Sequence, residues 1–151
     1  MRSINSFWRS SLALLVSAAA LVTLQAPARA EVSALSAPAA KASAAATAAK
    51  SQMGAKYVFG GESPQTGFDS SGLAQWAYGQ QGVSLPRTVA QQVGAGTAVS
   101  RANLLPGDLV FFDFDKNGSA DKVGVYTGSS HFVISVDPGG AVDRTLGWSF
   151  Y

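Results

Sequence analysis

Chemistry in this chain has one clear starting point. Asp69, Ser70 and Ser71 stand between a glycine-rich turn, "FGGESPQTGF" at 59–68, and the run "GLAQWAYGQQG", which reads as a helix. Gly60 and Gly61 let the backbone bend tightly, and Pro64 and Gly67 extend the turn. A nucleophile at a helix start is well placed, because the helix dipole favours negative charge there. A serine hydroxyl also needs a general base within hydrogen-bond reach. The alternative role for Ser70 is structural. Asp69, Ser70 and Ser71 are all good helix N-caps, and a cap contributes about 1 kcal/mol.

A second constellation is "DFDKNGSAD" at 113–121. Asp113, Asp115, Asn117 and Asp121 take the first, third, fifth and ninth positions of a calcium-loop spacing, with Gly118 at the sixth. The closing carboxylate would fall at Gly124, which has none. The spacing therefore predicts a polar hairpin loop with an Asn-Gly turn in preference to a metal site. No cofactor is implied.

The elements that must position these residues follow from the pattern along the chain. Residues 1–30 read as a secretory signal peptide: Arg2 and Arg9 precede an apolar run from Leu12 to Leu24, and "ARA" at 28–30 is a small-x-small cleavage site. The run is too short for a membrane span, so no membrane anchor is expected after cleavage. Residues 31–41 read as a flexible lead. "ASAAATAAKSQMGA" has high helix propensity, with Gly54 as a stop. A second helix is predicted over 71–80, ended by Gly82, and a short third after Pro86, ended at Gly94. "LLPGDLVFFDF", "KVGVYTG" (122–128) and "HFVISVD" (131–137) read as strands, with a weaker fourth in "PGGAVDRTLG". Helices first and an antiparallel meander after them make an α+β domain. Phe59, Trp76, Tyr78, Phe111, Phe112, Phe114, Tyr126, Phe132 and Trp148 read mostly as core.

Charge and cysteine content narrow the function classes. The chain holds 11 Lys+Arg and 9 Asp+Glu. Arg2, Arg9 and Arg29 lie in the leader and no acidic residue does, so the mature chain carries about one net negative charge. That is no footprint for nucleic acid. With no cysteine, disulfides, a thiolate nucleophile and lipid attachment at a cysteine are excluded.

Together "YVFGG…GFDSSGLAQWAY", "GVSLPRTVAQQ", "LLPGDLVFF", "KVGVYTG" and "HFVIS" resemble the NlpC-type cell-wall peptidases, papain-like cysteine hydrolases that cut the peptide stems of bacterial peptidoglycan. The resemblance covers residues 42–151, with the blocks in the family's order and spacing. It implies a papain-like fold with helices packed on a small antiparallel sheet. The chain departs from the family at all three triad positions. Ser70 stands at the cysteine position, Lys122 at the histidine position, and Ile134 at the third. Residues around the pocket are kept, among them Tyr57, Gly60, Gly61, Asp69, Ser71, Gly72, Arg87, Gln91, Gly107, Asp108 and Gly124. Relatives continue past the position of Tyr151 with another strand, so the resemblance implies a C-terminus truncated ahead of it.

By this resemblance, Tyr57, Asp69, Ser71 and Arg87 are the substrate-binding candidates. Arg87 could clamp a carboxylate of a stem peptide or brace a helix start. Tyr57 could line a ligand groove or belong to the core. His131 lies an odd offset from Ile134 on one strand, which places it on the opposite face of the sheet. Lys122 is the remaining base candidate, and a Ser70–Lys122 dyad would require burial that lowers the lysine pKa. The sequence reading is an exported, periplasmic or extracellular pseudoenzyme that binds peptidoglycan stem peptides or a partner cell-wall hydrolase. The alternative is an active hydrolase using Ser70 and Lys122.

Overall fold

The computed structural model describes residues 7–9 and 29–147, with side chains from residue 39 onward. Most of the predicted signal peptide lies outside these residues, as do Trp148 and the C-terminal end.

The alanine-rich segment forms helix α1, Arg29–Ser51. It takes in residues 31–41, which the sequence suggested as a flexible lead. Alanine propensity carries the helix through Pro38, although that residue contributes no N–H to the ladder. Ala45, Ala46 and Ala49 are buried, so α1 presents a smooth face that approaches its neighbours closely. The helix ends in turns leading to Gly54, at φ +89°, whose N–H donates to the Ala141 carbonyl.

The turn that follows contains a short ribbon, β2 (Glu62–Ser63) with β3 (Gly67–Phe68). Helix α2, Ser70–Gly79, leaves directly from β3, and the short α3 spans Val89–Val93. Phe68, Leu73, Ala74, Ala77 and Tyr78 bury the inward face of this layer. The Tyr78 hydroxyl donates to the Gly107 carbonyl, tying α2 to the entrance of the sheet.

Among the described residues, six strands form one antiparallel sheet. Besides β1 (Phe7–Arg9) and β4 (Thr97–Val99), it holds β5 (Leu109–Phe112), β6 (Lys122–Gly128), β7 (His131–Val136) and β8 (Gly140–Thr145). Their order is β4-β1-β5-β6-β7-β8. The three hairpins from β5 to β8 match the predicted meander; β1, β4 and the ribbon were not foreseen.

Side chains alternate across the sheet as strand geometry requires. Leu109, Phe111, Val123, Val125 and Val133 face the helices. Val110, Phe112, Tyr126, Phe132, Ile134 and Leu146 form a second cluster on the other face. Not every aromatic is core. Phe59 is 89% exposed, on the turn before α2, and Phe114 is half exposed, stacked on Phe112 at 5.6 Å.

Candidate functional site

The start of α2 is built around Asp69. Its backbone is extended and its carboxylate Oδ1 accepts from the Gly72 N–H at 2.7 Å, so Asp69, and not Ser70, is the N-cap. Oδ2 accepts from the Gly60 N–H at 2.9 Å, which pins the glycine turn to the helix start. Two Arg87 nitrogens grip the same carboxylate, Nη2 to Oδ2 at 2.7 Å and Nη1 to Oδ1 at 3.0 Å. Arg87 Nη1 also donates to Ser71 Oγ at 3.0 Å, and its Nε lies 3.3 Å from Glu62. The guanidinium is therefore the brace of the helix start, with its fork already filled by Asp69.

The electrostatics follow from this packing. Burial alone would raise the Asp69 pKa. The Arg87 hydrogen bonds, the Gly72 and Gly60 amides and the arginine's charge outweigh it and hold the carboxyl below its ordinary value. Arg87 is pushed up in turn, chiefly by its hydrogen bond to Asp69.

Close backbone packing completes the turn. A Cβ at Gly72 would come within 2.0 Å of the Gly61 carbonyl oxygen, so only glycine lets the helix settle there. Ser70 is the first residue of α2 and is buried, 5% exposed, as is Ser71. The sequence reading did not single out Gln92. It is fully buried, and its Nε2 donates to the carbonyls of Ser71 at 3.1 Å and Pro86 at 2.8 Å. Gln91, by contrast, forms a capping box with Thr88. The signal was present: Val89, Gln92 and Val93 share one face of a helix at offsets of three and four.

Lys122 and Ile134, the other two positions that the resemblance assigns to the triad, lie in the sheet. Lys122 opens β6, paired with Phe112; its Nζ lies 3.5 Å from the Asp121 carbonyl. Ile134 sits mid-strand in β7, 2% exposed, within the second apolar cluster. Lys122, Ile134 and Tyr57 line one cavity of about 560 Å³, and Ser70 is not part of its wall. Tyr57 is thus partly exposed at a cavity wall and is not a buried core residue. His131 is exposed on the strand's other face, with Nδ1 3.1 Å from Asp143 Oδ1.

The acidic loop folds as a hairpin connection. Asp113 accepts from the Asn117 and Gly118 amides, at 3.1 and 2.8 Å. Asp121 Oδ2 accepts from the amides of Phe114 and Asp115, at 2.9 and 3.0 Å. The carboxylates of Asp113, Asp115 and Asp121 converge within 4.8 Å, and Asp121 Oδ1 is buried with no hydrogen-bond partner. Asn117 offers its side chain to Asp115 at 2.9 Å, so the loop's own donors satisfy much of the acidic cluster.

Comparison with known proteins places this geometry in context. The chain is 44% identical over 87 residues to the bifunctional muramidase/DL-endopeptidase CwlT of Bacillus subtilis, a match covering 57% of this chain and 26% of that protein. It is 41% identical over 97 residues to the murein DD-endopeptidase MepH of Escherichia coli, covering 62% of this chain and 36% of the relative. The chain thus spans only about a quarter to a third of the length of these curated relatives. Among solved structures, the peptidoglycan hydrolase RipB of Mycobacterium tuberculosis superimposes with a TM-score of 0.66 at 26% identity, over 85% of this chain and 70% of that one. The sequence model of the NlpC/P60 family matches residues 54–145, which contain the Asp69 turn, the Arg87 brace and the β5–β8 meander. On this evidence of sequence and of fold, the chain belongs to the NlpC/P60 family.

Proposed function

We propose that this protein is an exported, catalytically inactive member of its family that binds peptidoglycan stem peptides or a partner cell-wall hydrolase. The single observation that carries the reading is an intact helix-start brace around a position that lacks its thiol. The chain contains no cysteine, while Asp69, Ser71, Arg87 and Gly72 hold the turn in a closed hydrogen-bonded set. A thiolate at a helix start is stabilised by the dipole; a serine hydroxyl is far less acidic and depends on a base. Lys122 opens onto a cavity whose wall excludes Ser70, and Ile134 is packed as core. The names of CwlT, MepH and RipB support a wall-directed ligand.

The test uses the mature chain, from Glu31, with muropeptides and intact sacculi. Co-sedimentation with sacculi and no new muropeptide fragments is the expected outcome. Fragments that disappear in both Ser70→Ala and Lys122→Ala would establish a serine–lysine hydrolase instead. Absence of binding by a folded sample would overturn the wall-ligand reading and leave a protein partner to be sought.

A further inference from the structure

The cavity beside β6, β7 and β8 has a composition that the triad comparison does not explain. Its floor is apolar: Phe132 and Ile134 are buried, and Phe132 packs against Phe112 with ring centroids 4.8 Å apart. Gly124 makes room for this floor, because a Cβ there would come within 2.6 Å of the Phe132 ring. Two cations, Lys122 and Arg144, stand in the wall. Among the described residues neither forms an ion pair with a carboxylate. Asp137 lies on the same rim, with Tyr57 nearby.

We infer that this cavity binds a short peptide through its free terminal carboxylate. Lys122 and Arg144 take the carboxylate and the aromatic floor takes the last side chain. The volume of about 560 Å³ suits a ligand of a few residues. Charge complementarity sets the anionic end, since two cations outside any ion pair among the described residues, against the single carboxylate of Asp137 and over an apolar floor, favour an anion with an apolar body. Asp137 favours a peptide over a simple fatty acid, because its carboxylate can accept from backbone N–H groups, which a fatty acid lacks. The inference rests on the proposed wall-peptide reading only for the natural source of the peptide.

Calorimetric titration of the chain with N-acetyl-Ala-Leu, its C-terminal amide and decanoate tests this. The free acid should bind at least about tenfold more tightly than the amide, as expected for loss of a charge-assisted contact. Lys122→Met and Arg144→Met keep much of the apolar stem and should each weaken acid binding about five- to tenfold while leaving the amide unchanged. Circular dichroism confirms that both variants fold. Equal binding of acid and amide, tighter binding of decanoate, or no binding to the folded chain would overturn the inference. Sacculus binding separates the two readings. If the wild type binds sacculi and Lys122→Met and Arg144→Met bind N-acetyl-Ala-Leu as tightly as it does, the carboxylate site falls and the wall reading stands. If the wild type binds N-acetyl-Ala-Leu but not sacculi, the reverse holds.

Discussion

Replacing Asp69 with alanine removes the acceptor for five groups at once: the Gly72 and Gly60 amides, two Arg87 nitrogens and the Ser71 hydroxyl. Loss of an N-cap costs about 1 kcal/mol. The Gly60 contact adds about 1 kcal/mol, as for an ordinary hydrogen bond to a charged group in a partly wet site. The Arg87 pair would be worth more if buried. The arginine side chain is 31% exposed, so solvent screening limits it to about 1 kcal/mol. The sum is about 3 kcal/mol. For a domain of this size that lowers the melting temperature by about 12 °C. Urea denaturation followed by circular dichroism measures it as a drop in midpoint at constant slope. Asp69→Asn keeps a capping acceptor and loses the charge, so about half the effect should remain. Arg87→Ala should add little on top of Asp69→Ala, because the shared interaction is already gone. A change within about 0.5 kcal/mol for Asp69→Ala would refute the claim that this carboxylate holds the turn together.

Three further outcomes follow from the same structure. Because the folded-state pKa of Asp69 is lowered, its contribution is present above the unfolded value of about 3.9 and is lost as pH falls through the folded value; urea midpoints of the wild type and Asp69→Asn should therefore converge on acidification. Gly107→Ala should destabilise by more than about 2 kcal/mol, since its Cβ would meet the Ala42 carbonyl oxygen at 2.2 Å and its φ of +100° disfavours a side chain; thermal unfolding checks this. The chain begun at Glu31 lacks Phe7–Arg9, which pairs with both β4 and β5, so hydrogen exchange should show faster amide exchange in Thr97–Val99 than in the full-length chain.

Where the fold was legible, a local rule sufficed. The β5–β8 meander could be read because each strand is apolar, short and bounded by a turn, and α3 because Pro86 and Gly94 bracket it. The β2–β3 ribbon escaped notice because two-residue strands carry no period. The lead at 31–41 was misjudged because its small residues and proline suggested a linker, while alanine propensity extended the helix. At the site, Ser70 competed with Asp69 for the cap, and composition could not choose between neighbours that cap equally well. Arg87 reaches Asp69 across 18 positions, a pairing no local spacing encodes. The cavity is less legible still, since Lys122, Ile134 and Arg144 meet only through the register of three strands.

The Asp69–Arg87 brace has a consequence for how such a chain can change over generations. The hydrogen bonds that hold the turn run through Asp69, Ser71, Arg87 and the backbone of Gly60 and Gly72, so they place no demand on the chemistry of the small buried side chain at residue 70. Exchanging sulfur for oxygen there alters reactivity and leaves the architecture standing. Stability therefore tolerates the exchange of one small buried side chain for another at residue 70, while it strongly resists change one residue earlier. A turn wired in this way keeps its shape when the chemistry of the residue at position 70 is exchanged.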